Sequence, residues 1–200
     1  MRIKTFRHRL LALAALALAG CGGGNPIDNP STLVNDPSST TNQRLSFAYF
    51  QRCIEPILNA QLPIQLNGTT TTNTCAASGC HAATTGTGGA FRIVPAAATV
   101  DLTGTADTIR ATDMYKNFYS AQGEVVVGSP SQSRLLLKPQ LLNVLHGGGL
   151  IFASPTDPNV VAITYWINHP EPQGQDEFST ATYSAYFTAA DPINGSCLTQ

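Results

Sequence analysis

The residues of this chain best equipped for chemistry are five cysteines and four histidines, and three of them stand in one run of seven: Cys75-Ala76-Ala77-Ser78-Gly79-Cys80-His81. Two thiols followed at once by an imidazole are the groups that attach a c-type haem. The thiols become thioethers at the porphyrin edge, and the histidine next to the second one binds the iron. The usual spacing puts two residues between the cysteines, whereas this run has four. Two attachments therefore stay open. In one, Cys75 and Cys80 both carry thioethers, and Cys53 and Cys197 remain to form a disulfide. In the other, Cys80 alone holds the haem, Cys75 pairs with Cys53, and Cys197 is a free thiol. A reading without cofactor puts Cys75 and Cys80 into disulfides with Cys53 and Cys197 and leaves His81 an ordinary loop histidine. Zinc fits less well, because consecutive Cys80 and His81 rarely point at one tetrahedral centre and no second C-x-x-C or H-x-x-x-H pair follows.

A haem held on one face by His81 needs a ligand for the other face from a distant part of the chain. Beyond the first turn of the sequence, His146, His169 and Met114 are available. His146 precedes Gly147-Gly148-Gly149, a stretch whose backbone can come close to a flat ligand, so His146 is expected as the sixth iron ligand, opposite His81. His169 stands at a helix end before Pro170, and Met114 sits mid-helix as core. Two imidazoles set a lower potential than a histidine and methionine pair. No nucleophile elbow, phosphate-binding glycine loop or HExxH run is present, and the carboxylates do not cluster, so catalysis has no independent support.

The elements that must position these groups follow from periodicity. Leu45, Phe47, Phe50, Ile54, Ile57 and Leu58 recur at helical spacing, with Pro56 expected to kink that helix or start a new turn. Residues 59–74 read as a polar loop, and Ala90–Val94 as a short extended piece. Residues 106–119 read as a helix with Ile109, Met114, Tyr115 and Phe118 inward. Ser129-Pro130 and Asp157-Pro158 each pair an N-cap with proline at the first helical position. They open a short helix through Leu137 and a longer one carrying Val160, Ile163, Trp166 and Ile167 up to His169-Pro170. The tail from Glu171 is expected to pack back as a loop.

The first twenty residues carry Arg2, Lys4, Arg7 and Arg9 and then an apolar run from Leu10 to Ala19. This is the charged and apolar order of a secretory signal, too short to span a bilayer as a mature helix. It ends Leu18-Ala19-Gly20-Cys21, which resembles the lipobox of bacterial lipoproteins and implies cleavage before Cys21 and lipid on that cysteine. Gly22-Gly23-Gly24 and a Pro/Asn/Ser/Thr-rich stretch through residue 42 then read as a flexible tether. Four of the eleven basic residues lie in the signal, leaving seven against twelve acidic ones, a mature balance of −5. That argues against nucleic acid as a partner and is compatible with a basic redox partner. With Cys21 lipidated, an even set of four cysteines remains for an oxidising compartment. The location implied is the cell envelope, on the periplasmic or outer-membrane side.

Several features come in a fixed order: Pro56-Ile57-Leu58 in an aromatic helix, the Cys75…Cys80-His81 run, and a glycine-rich turn into Phe91-Arg92-Ile93. Ser131-Gln132-Ser133-Arg134-Leu135, His146 in its glycine loop and Tyr165-Trp166-Ile167 follow. This order resembles the small cytochrome c domains of planctomycete and proteobacterial exported proteins over roughly residues 43–170. The resemblance implies a mostly α-helical, cytochrome c-like domain over residues 43–200 with long polar loops. It implies first and last helices crossing through Phe47, Phe50 and Trp166, and a distal iron ligand from the loop before the final helix. It also implies one covalent haem c on Cys75, Cys80 and His81, and single-electron transfer to a redox protein partner. An open coordination site would instead suit a peroxidase-like enzyme. The cysteine spacing and His146, where methionine is common, depart from the family pattern. The competing class is a disulfide-stabilised surface lipoprotein acting as a structural or interaction module.

Overall fold

In a computed structural model, residues 43–200 are described; the signal, Cys21 and the tether of residues 21–42 lie outside them. The first helix is irregular for a reason visible in the sequence. Helix α1 (Phe47–Tyr49) is capped by Ser46, whose Oγ accepts from the Tyr49 N–H. The chain then widens into a π-helical turn over Phe50–Ile54 before resuming as α2 (Glu55–Asn59). Pro56 has no N–H and its ring crowds the carbonyl four residues back, so the ladder shifts register there. The Glu55 N–H accordingly reaches the Phe50 carbonyl, five residues away. All six apolar residues expected on this helix face are buried.

A β-hairpin replaces the expected polar loop. Strands β1 (Leu62–Leu66) and β2 (Thr69–Asn73) pair antiparallel, Leu66 opposite Thr69. The turn is Asn67-Gly68, both at positive φ (52° and 78°), the backbone twist that matches two antiparallel strands. The β-branched threonine run supplies the second strand. The expected helix over 106–119 is two, α3 (Ala106–Arg110) and α4 (Asp113–Gln122). Thr112 divides them, its Oγ1 accepting from the Tyr115 N–H as a new N-cap. Ser129 does not cap. Pro130–Gln132 forms a separate 3₁₀ turn and α5 spans Arg134–Leu137. Buried Ser133, donating through Oγ to the Ser129 carbonyl, fixes the break between them.

Helix α6 (Pro158–Asn168) starts as expected, with Asp157 Oδ1 accepting from the Asn159 N–H, and ends before His169-Pro170. Its Trp166 packs on Phe50 (ring centroids 5.6 Å apart) and donates from Nε1 to the Ser46 carbonyl at 3.0 Å. The tail returns over the first helix through α7 (Tyr183–Tyr186) and a 3₁₀ turn. It is fastened there by the Cys53–Cys197 disulfide and by the Tyr49 hydroxyl donating to the Leu198 carbonyl at 2.7 Å.

The expectation of a mostly α-helical, cytochrome c-like class is corrected. The structure holds 34% helix and 9% strand, a mixed small fold of short helices and one hairpin. The reason lies in the composition: Thr, Gly, Pro and Asn clusters divide the apolar stretches into pieces of one to three turns, and the loops between them carry much of the chain. No described helix is long and apolar enough to cross a membrane.

Candidate functional site: a pocket between two histidines

The seven-residue run is a wired turn. The Thr74 Oγ1 and the Ala76 N–H both donate to the Leu58 carbonyl (2.8 and 3.1 Å), tying the start of the turn to the end of α2. The Cys80 N–H donates to the Ala77 carbonyl and the His81 N–H to that of Cys75, each at 3.0 Å, closing the turn on itself. The Ile93 N–H then donates to the His81 carbonyl at 2.7 Å. The expected extended piece is thus reduced to one parallel bridge, Ala82 with Ile93.

His81 lies close to the Phe91 carbonyl (Nδ1 to O, 3.1 Å), and His146 close to that of Gly149 (2.8 Å). A carbonyl only accepts, so each Nδ1 donates; in a neutral ring that leaves Nε2 with its lone pair. The two rings face each other with planes 10° from parallel and centroids 6.3 Å apart. Burial pushes the His81 pKa down, and neighbouring His146 and Lys138 push it further, against the opposing pull of the Phe91 carbonyl. Burial pushes the Cys75 thiol up to about 11, with the Cys80 side chain adding to the effect, so Cys75 is a protonated thiol at neutral pH.

Both histidines and both free cysteines line one cavity of about 510 Å³. Its walls are apolar: Ile57 and Leu58 from α2, Leu62 and Ile64 from the hairpin, Leu135, Phe152 and Ile163 from the far side. Arg134, Lys138 and Glu124 also reach it. Leu145 lines it while 94% exposed to solvent. The loop carrying His146 is held to the hairpin by a reciprocal pair of bonds, Gln65 N–H to Leu150 O (2.8 Å) and Leu150 N–H to Gln65 O (2.9 Å). Gly149 lies at this junction at φ +80°, and a Cβ there would stand 2.4 Å from the Gln65 carbonyl oxygen. The glycine loop thus makes its close approach to the hairpin backbone. Gly88 has a similar role beside His81, whose ring would lie 2.5 Å from a Cβ at that position.

The structure therefore brings Cys75, Cys80, His81 and His146 to one cavity and keeps the other candidates away. His169 stacks on Tyr165 (centroids 3.8 Å apart) and is no part of this wall, and Met114 is core. Cys53 and Cys197 form the disulfide, and Cys75 and Cys80 are free thiols. The expectation of one covalent haem c is corrected. The run is no Cys-x-x-Cys-His motif, four residues separating its thiols. Among the described residues no group of three or more His, Cys, Asp or Glu is placed to hold a metal ion. Sequence reading missed the hairpin wall and the cationic pair Arg134 and Lys138. Asn67-Gly68 between an apolar run and a threonine run was the available signal for the first; nothing in the sequence marked the second. No family model, curated protein or solved structure matches this chain.

Proposed function

We propose that this chain is a lipid-anchored cell-envelope protein whose disulfide-clamped domain binds a small, mainly apolar molecule carrying an acidic group. The observation that carries this reading is the 510 Å³ cavity, apolar in its walls, with a few polar groups converging on it. That combination of apolar lining and sparse, placed polar atoms is what small-molecule sites have in common. Arg134 and Lys138 offer cations to an acidic group, while Nε2 of His81, whose ring burial keeps toward the neutral form, accepts a hydrogen bond from the ligand body and His146 supplies a second imidazole. The anchor rests on the Leu18-Ala19-Gly20-Cys21 ending.

Two measurements test the reading. The processed protein should bind the fluorescent apolar anion anilinonaphthalene sulfonate at a single saturable site. His146→Ala and Lys138→Glu should each weaken that binding roughly tenfold, about 1.4 kcal/mol. Binding that does not saturate, or that ignores both substitutions, defeats the pocket assignment. Separately, Cys21→Ser should yield a soluble or unprocessed protein. A cleaved, lipid-free variant that still partitions with membranes defeats the anchor.

A further inference from the structure

We infer that Cys75 and Cys80 form a reversible dithiol–disulfide couple that sets the shape of the pocket. Of the four cysteines in the described residues, two are consumed by the clamp at Cys53 and Cys197 and two are left as thiols. Those two stand near the ends of one turn closed by the His81 N–H to Cys75 carbonyl bond of 3.0 Å, and both line the same cavity. Both are only partly buried and border the open cavity, which gives a small disulfide its approach. An oxidising compartment favours pairing of any two thiols that can meet. Among the described residues, the clamp leaves these two only each other.

The reaction is thiol–disulfide exchange with a disulfide donor. One cysteine thiolate attacks a donor sulfur, forming a mixed disulfide and releasing one donor thiol. The second cysteine attacks the sulfur of the first and releases the other donor thiol. Two protein thiols are oxidised to one disulfide, one donor disulfide is reduced to two thiols, and the two thiol protons leave on them. Drawing the two sulfurs together must move side chains of the cavity wall, and His81, next to Cys80 in the chain, moves with them. The ligand site is therefore altered by oxidation. That consequence rests on the pocket reading proposed above; the exchange chemistry does not.

The experiment equilibrates the processed protein in glutathione buffers of graded reduced-to-oxidised ratio, traps thiols with a maleimide, and weighs the intact chain and its peptides. Two maleimides per chain are expected at the reducing end and none at the oxidising end, with a Cys75–Cys80 disulfide peptide in the latter. Cys75→Ser and Cys80→Ser should each abolish the paired step and leave one thiol that accepts a single glutathione. Anilinonaphthalene sulfonate affinity should differ at least fivefold between the two forms of the unsubstituted protein. Thiols that stay alkylatable at every ratio overturn the inference. So do cysteines that take no maleimide even after reduction and denaturation, as thioethers would behave, and a peptide pairing Cys75 with Cys53. If the two-thiol step is found but the dye binds neither form, the couple stands and the pocket reading fails. If the dye binds and the step is missing, the reverse holds.

Discussion

The two sides of the first helix are built on opposite principles. Toward the tail, Tyr49 lies among Tyr165, Tyr186 and Phe187, with ring centroids 5.1–5.9 Å away, and Cys53 is joined to Cys197 across 144 residues of chain. Toward the pocket, the walls are turns held by backbone hydrogen bonds, the cysteines are free and a leucine stands in solvent. One side is closed by a covalent bond and interlocked aromatic rings. The other sets its free thiols and imidazoles around an open volume. The covalent and aromatic closure lies on the tail side, and the opposite face holds polar groups at an apolar cavity.

Breaking the clamp should have the largest effect. Closing a loop of this length restricts the unfolded chain by about 5 kcal/mol in the loop-entropy picture. Cys197→Ser should therefore lower thermal stability by several kcal/mol, read as a large drop in Tm. A Tm within a degree or two of the parent would mean that the aromatic contacts alone secure the tail and that the contrast between the two sides has been misplaced.

The next effect sharpens the comparison through pH. Glu55 is 4% exposed; Asn59 and Asn117 donate to its Oε1 at 2.8 and 2.9 Å, and its Oε2 has no partner. Burial raises its pKa from 4.5 to about 7, against the opposing pull of the two asparagines. The folded state thus holds a proton that the unfolded state has released. The associated stability is fully present below pH 4.5 and is lost as pH rises through about 7, roughly 3 kcal/mol in all. Glu171, buried with an unpartnered Oε1 and its pKa also raised by burial, adds a slope of the same sign. Glu55→Gln should flatten the fall in Tm between pH 5 and 8 relative to the parent. An unchanged profile would assign the titration elsewhere.

How far the sequence announced this molecule differs between its two sides for a physical reason. Helical periodicity is a local signal, so the buried faces of the first helix and of α6 are readable from Leu45–Leu58 and Val160–Ile167, and Asp157-Pro158 marks the start of α6. The breaks at Thr112 and Ser133 were not readable, because whether a hydroxyl caps, or bonds inward across a gap, depends on what packs beside it. The cysteine and histidine run names residues that the structure brings to one cavity wall. A shared cavity depends on long-range pairing such as Gln65 with Leu150, which no spacing encodes. Asn67-Gly68 was a local signal passed over, since the threonine run beside it reads as loop by polarity and as strand by β-branching.

The smallest effect on stability should be the largest on the pocket. Gly149 is fixed in its conformation by two requirements at once: φ +80°, and a place 2.4 Å from the Gln65 carbonyl oxygen for any added Cβ. Gly147, two residues earlier in the same loop, has nothing within 4 Å of the same position. Alanine in the left-handed region costs about 1–2 kcal/mol, and at Gly149 the clash adds the loss of the Gln65–Leu150 bonds at 2.8 and 2.9 Å. Because the clamp and the aromatic face are untouched, Gly149→Ala should lower Tm by less than Cys197→Ser does. It should, however, release the loop that orients His146, whose Nδ1 donates to the Gly149 carbonyl itself. Dye binding should then weaken by tenfold or more, while Gly147→Ala behaves as the parent in both measurements. If both alanine variants bind alike, the loop is not held by its seat on the hairpin. If Gly149→Ala instead collapses the whole domain, the two sides are one cooperative unit and the division drawn between them is wrong.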